Sequence, residues 1–202
     1  MRPLPYRSLF AVATLIVILL SLGAFACNSD GDVSEPTETA VPATTTPGAT
    51  AAEPTTPPFQ GSREPAELIS DVIPTPILMD VRAAAHEDFD RVVFEFADSR
   101  PGYRVEYVDE AIACGSGIPV EVAGGALLRV RMQPATAHDE AGMPTFPSQE
   151  VTPGLWSILA VVQTCDFEGE VTWVVGLTEE VDFVLSTYPD PFRIVIDVAH
   201  PS

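Results

Sequence analysis

From Ile77 to the end of the chain, hydrophobic residues recur at every second position, in short runs broken by glycine and proline. Val92, Phe94 and Phe96 alternate with Arg91, Val93 and Glu95, and Leu128, Val130 and Met132 alternate with Arg129 and Arg131. Val171, Trp173, Val175 and Leu177 share one side of another run. Val181, Phe183 and Leu185 alternate with Asp182, Val184 and Ser186, and Ile194, Ile196 and Val198 with Arg193 and Asp197. Ile77, Met79 and Val81 open the series, and Tyr103, Val105 and Tyr107 form a shorter run. A period of two sends successive side chains to opposite faces of an extended strand, so each run reads as a strand buried on one side. No window carries the spacing of an amphipathic helix. Turn signals at Pro101-Gly102, Gly115-Ser116-Gly117, Gly124-Gly125, Glu168-Gly169 and Pro189-Asp190-Pro191 separate the runs. The pattern predicts an all-β fold, an antiparallel β-sandwich of about eight to nine short strands. Residues 133–156 break the rhythm and read as one long, proline-rich loop, of a length that is often functional or mobile.

The first part of the chain has a different texture. Arg2 and Arg7 precede an apolar run over residues 9–26 that ends in small residues, the layout of a signal peptide. Ala24-Phe25-Ala26-Cys27 resembles a bacterial lipobox, with Cys27 supplying the sulfur for the lipid thioether. The usual leucine three residues before the cysteine is Ala24 here, and Ala24-x-Ala26 also suits an ordinary signal peptidase. Left uncleaved, about 18 apolar residues would only just cross a bilayer. The polar stretch after Cys27 and the Pro/Thr-rich residues 33–67 favour the lipid anchor, because a domain tied to a surface needs a tether. That segment has too few large apolar side chains to offset the entropy of ordering. The expected organisation is a signal peptide over residues 1–26, a disordered tether over 27–74 and a β-domain over 75–202. The expected location is the outer face of the cell membrane, with the domain extracellular or periplasmic.

All ten basic residues are arginine, and lysine is absent. From Ile77 onward seven arginines face twenty-one acids, a net of −14. That sign excludes nucleic acid and anionic lipid surfaces as ligands of the domain, since both need a basic footprint. Acidity of this kind reads first as solubility outside the cell, and second as a surface for a cationic partner.

Little in the sequence points to catalysis. His86, His138 and His200 fall in a turn, a loop and the C-terminal tail, and no serine has the G-x-S-x-G context. Among so many acids a carboxylate pair arises by chance, so no enzyme activity and no cofactor are expected. His86, Asp88 and Asp90 have an H-x-D-x-D spacing that could face a divalent ion. The plainer reading is an exposed acidic turn leading into a strand, and no metal is expected. Cys114 and Cys165 remain once Cys27 is assigned to lipid, and two thiols in an oxidising compartment usually pair. Free or intermolecular thiols are the alternative. Trp173 and Tyr107 sit on apolar strand faces and read as core. Trp156 in the long loop and Tyr103 at a strand start are left as candidates for stacking on sugar rings. Arg129 and Arg131 share the outward face of one strand and could clamp carboxylates, although pairing with acids across the sheet is the commoner fate.

Four blocks in order resemble the AMIN-like domain family of exported bacterial lipoproteins. They are Asp88-Phe89-Asp90-Arg91-Val92-Val93-Phe94-Glu95-Phe96, Gly102-Tyr103-Arg104-Val105-Glu106-Tyr107-Val108, Asp166-Phe167-Glu168-Gly169 leading to Trp173-Val174-Val175-Gly176-Leu177, and Pro191-Phe192-Arg193-Ile194-Val195-Ile196-Asp197-Val198. The resemblance implies a β-sandwich similar to the non-catalytic AMIN modules that target cell-wall enzymes and secretins to the envelope. It supplies no ligand residues. Two readings follow, a module that binds cell-wall glycan such as peptidoglycan, or an adaptor docking another envelope protein through its acidic surface or a sheet edge.

The N-terminal reading has a direct test. Cys27→Ser is expected to move the protein from membrane to medium or to block its processing, as fractionation and immunoblotting would show; unchanged membrane association with normal cleavage refutes the lipid anchor.

Overall fold

The computed structural model describes residues 59–97 and 99–202; the expected signal peptide, Cys27 and the first part of the tether lie outside the described residues. Ten strands follow one another, β1 (Ala66–Leu68), β2 (Ile77–Ala85), β3 (Phe89–Ala97), β4 (Gly102–Val108), β5 (Ala126–Gln133), β6 (Glu150–Val151), β7 (Ile158–Phe167), β8 (Glu170–Leu177), β9 (Phe183–Tyr188) and β10 (Phe192–Ala199). They form two antiparallel sheets, one ordered β1-β4-β5-β8-β7-β6 and the other β2-β3-β10-β9. The fold is all-β, as the alternation predicts. No helix among the described residues is long and apolar enough to cross a membrane.

The inward faces are those the pattern selects. Val92, Phe94 and Phe96 of β3 and Ile194, Ile196 and Val198 of β10 are fully buried against Leu128, Val130 and Met132 of β5 and Val171, Trp173, Val175 and Leu177 of β8. Trp173 joins the layers, with its indole 6.1 Å edge-on from Phe94 and 5.4 Å from Phe146. Burying an aromatic side chain of this size contributes on the order of 3 kcal/mol from area alone.

Four features depart from the alternation, each for a physical reason. In β2 a bulge between Leu78 and Asp80 shifts the register, so Leu78 is buried and Met79 is 44% exposed rather than sharing an inward face with Ile77 and Val81. Strand β8 is buried on both faces, because the connector of residues 109–125 lies back over its outer side. Gly176 makes that possible: a Cβ there would meet the Ala123 carbonyl oxygen at 2.0 Å. Residues 133–156 are not an open loop. Ala135, Ala137 and Phe146 are buried in the core, and β6 pairs with β7. Finally, β1 lies inside the segment whose composition reads as tether. Ser62 exchanges main-chain hydrogen bonds of 3.0 Å with Phe183, and Ala66–Leu68 pairs with β4. Backbone groups at two sheet edges hold this segment, and they leave no mark in side-chain composition.

One carboxylate fastens the sandwich at the start of β7. Asp90 on β3 is fully buried, and its Oδ2 accepts the amide N–H groups of Ser157 at 2.6 Å and Ile158 at 3.2 Å. Asp90→Ala strands two buried donors and is expected to cost roughly 3 kcal/mol in urea unfolding; Asp90→Asn, which keeps an acceptor, should cost less. Equal, small losses in both variants would show that the carboxylate does not hold this junction.

Candidate functional site

The residues singled out by the sequence do not form one site: Trp156 lies apart from Tyr103, Arg129 and Arg131, and Arg131 lines the same cavity as Tyr103. Trp156 precedes Ser157 at the start of β7, and its indole is 67% exposed. Its other neighbour is the His200 imidazole, stacked at 5.0 Å and 20°. His200 Nε2 lies 3.3 Å from Asp90 Oδ1, and the Ser157 hydroxyl donates to the Ala199 carbonyl at 2.8 Å. The buried Asp90 thus fixes the chain on both sides of the stack, to Ser157 just before β7 and to His200 after β10. A flat aromatic surface held this way loses little freedom when a ligand covers it. His86, Glu87 and Asp88 are an exposed turn leading into β3, as the plainer reading has it, and Asp90 within that strand faces inward where it can satisfy amides. His86 stacks on Phe89 at 4.6 Å, and among the described residues no cluster of three or more His, Cys, Asp or Glu could hold a metal ion.

Arg129 and Arg131 do share the outer face of β5, and both are paired internally. Register places Arg104 opposite Arg131 and Glu106 opposite Arg129. Two arginines facing across a ladder repel, and acids on three strands separate them. Glu106 accepts from Arg104 at 2.7 Å and from Arg129, Arg104 reaches Glu67 at 3.2 Å, and Arg131 donates to Glu170 and Gln133, each at 2.6 Å. Three cations and three carboxylates cancel, so an incoming carboxylate has to displace Glu106 or Glu170. The hydrogen bond from Arg104, reinforced by Arg129, holds the Glu106 carboxyl down to about 2 against an ordinary 4.5.

Tyr103 is half-buried against the core on the inward face of β4. With Arg131 and the 87% and 91% exposed Ile69 and Ile73 it lines an open cavity of about 480 Å³. Register puts it beside Met132, Val171 and Asp166, at the end of the six-stranded sheet opposite Trp156. Tyr107 is structural: its hydroxyl donates to the Val181 carbonyl at 2.6 Å, and burial pushes the phenol up.

Cys114 and Cys165 form a disulfide, with Cα atoms 5.1 Å apart. Beside it the Cys114 amide donates to the Thr164 carbonyl at 3.1 Å. The bridge therefore ties the 109–125 connector to the end of β7, closing a loop worth about 4 kcal/mol in the chain-entropy account. Sequence reasoning passed over Gln163 and Thr164 next to it, and over the His138–Asp166 pair, where His138 Nδ1 lies 2.7 Å from Asp166 Oδ2. The available signal was Gln163 itself, a polar residue two positions from Val161 on the inward face of a strand.

Compared with protein-family models, the chain matches the AMIN-like domain over residues 76–200. No curated protein and no solved structure matches it.

The arginine ladder sets an acid limb. A carboxyl with a depressed native pKa stabilises the fold fully above its unfolded value, here 4.5, and that stability is lost as pH falls through about 2. Glu106→Gln should therefore be less stable than wild type at pH 6, with the gap narrowing by pH 2 in urea midpoints. A gap independent of pH would show that the ion pairs contribute nothing.

Proposed function

The chain belongs to the AMIN-like domain family, and from that membership and the geometry above we propose that it is a non-catalytic envelope module that binds the neutral glycan of the cell wall. The observation that carries the reading is the exposed Trp156 indole, backed by His200 and fixed through the buried Asp90. Sugar rings present C–H faces to such a surface and need no charge complement. The electrostatics favour the same ligand. A net of −14 from Ile77 onward repels anionic wall polymers, and the arginines best placed to counter it are neutralised by Glu106 and Glu170. Tyr103, Arg129 and Arg131 stay secondary candidates. The role also fits an exported domain with Cys27 lipidated and the residues after it as spacer up to about residue 61, where pairing of Ser62 and Ala66–Leu68 with the sheet edges begins.

A second reading rests on Ile69 and Ile73, two large apolar side chains exposed beside the short edge strand β1. They would suit an adaptor docking another envelope protein at that edge.

Salt separates the two. Retention on purified, protein-free sacculi should be unchanged or stronger as salt rises, because screening over about 10 Å at 0.1 M removes only repulsion. Stripping anionic polymers should not reduce it. Trp156→Ala should weaken retention about tenfold. A steep loss with salt, or full retention by the variant, contradicts the glycan reading, and salt-sensitive capture that needs wall protein supports the adaptor.

A further inference from the structure

At the end of β7 remote from Trp156, a cavity of about 420 Å³ opens between the strand and the residues 133–156 that fold over it. Gln163 and Thr164 line it, the His138–Asp166 pair forms one wall, and the Cys114–Cys165 disulfide forms another. Register places Gln163 opposite Trp173, hence on the inward face, and a bulge between Gln163 and Cys165 carries Thr164. Both polar atoms of the Gln163 carboxamide are buried without a hydrogen-bond partner. So is the hydroxyl of Thr164, a residue only 8% exposed. Folded proteins carry few such groups, because each forfeits its hydrogen bonds to water. Among the described residues six side-chain atoms are in this state, and three of them belong to these two neighbours at one cavity.

We infer that this cavity is a subsite for a neutral saccharide, with Gln163 and Thr164 supplying the missing hydrogen bonds. This rests on the glycan reading above and deepens it. A carboxamide offers a donor and an acceptor side by side, which matches adjacent sugar hydroxyls, or a hydroxyl beside an acetamido group. No hydrogen bond fixes the Gln163 amide, and its buried atoms would meet a ligand by turning from the interior toward the cavity. The lining contains no arginine, and its only carboxylate, Asp166, already accepts from the Ala137 amide at 3.1 Å and lies against His138. An anion finds no counter-charge there, and a cation finds a carboxylate already engaged. An uncharged polyhydroxy ligand fits.

The test uses the full chain with its disulfide intact and chitotetraose, an uncharged oligomer of N-acetylglucosamine, as probe. Nitrogen-15 NMR follows the Gln163 side-chain amide, assigned through bonds. A saturable shift of that resonance is expected, and Gln163→Leu and Thr164→Val should each weaken probe binding at least tenfold. Their thermal midpoints should equal or exceed wild type, because each substitution removes unpaired buried atoms without emptying the space. A merely structural role predicts the reverse, lower midpoints and unchanged binding. An unmoved Gln163 amide at the highest probe concentration, the result expected if the cavity holds only water, overturns the inference, and that readout needs no variant to fold. Sacculus retention by wild type keeps the two claims apart. Retained protein with an unmoved amide loses the subsite and keeps the wall-binding function; unretained protein with a saturable shift at Gln163 loses the function and keeps the subsite.

Discussion

The indole of Trp173 is fully buried at the point where three separate parts of the chain meet, and the sandwich is organised around that contact. It comes from β8, near the centre of the six-stranded sheet; it meets Phe94 from β3 of the other sheet and Phe146 from the long segment between β5 and β7. Two sheets with one apolar face each have no stable state until those faces close on each other. The same contact draws residues 133–156 inward, so that a stretch rich in proline becomes part of the core and of the cavity wall. Gln163 sits opposite Trp173 in the ladder, so its side chain shares the inward face of that contact.

Polar groups then decide how the layers are held at their ends. Asp90 carries the junction of β3, β7 and the C-terminal tail, accepting two amides and lying against His200. Because Trp156 is adjacent to one of those amides and stacked on that imidazole, the same carboxylate that stabilises the fold also orients the exposed aromatic surface. On the outer face of the six-stranded sheet the logic is different: arginines and glutamates alternate across the strands and cancel, leaving the surplus of acid elsewhere on the domain. The net charge of −14 from Ile77 onward therefore sets a long-range field that repels anions.

The disulfide adds a second function to a stabilising bond. By pinning the connector of residues 109–125 to the end of β7, Cys114 and Cys165 cover the outer side of β8 and give the neighbouring cavity a rigid wall. The connector needs Gly176 beneath it.

The alternation of residues such as Val92, Phe94 and Phe96, or Leu128, Val130 and Met132, determined by itself that the domain is an antiparallel all-β structure and which faces are inward, because the two-residue period of a strand is a local property written into consecutive residues. The order of blocks from Asp88 to Val198 was likewise enough to place the chain in its family, and the two cysteines left for the domain were enough to propose their bond. What the sequence could not show depends on groups that meet only after the sheets close. The β2 bulge exposes Met79, and main-chain pairing draws Ser62 and Ala66–Leu68 out of the expected tether. Asp90 is buried because the amides of Ser157 and Ile158, more than sixty residues away, come to need an acceptor. Trp156 has a backing only because the C-terminal His200 returns to it, and Gln163 and Thr164 line a cavity only because residues 133–156 fold over them. Burial, register shifts and unpaired hydrogen-bonding atoms arise from contacts distant in sequence, and no local pattern encodes them.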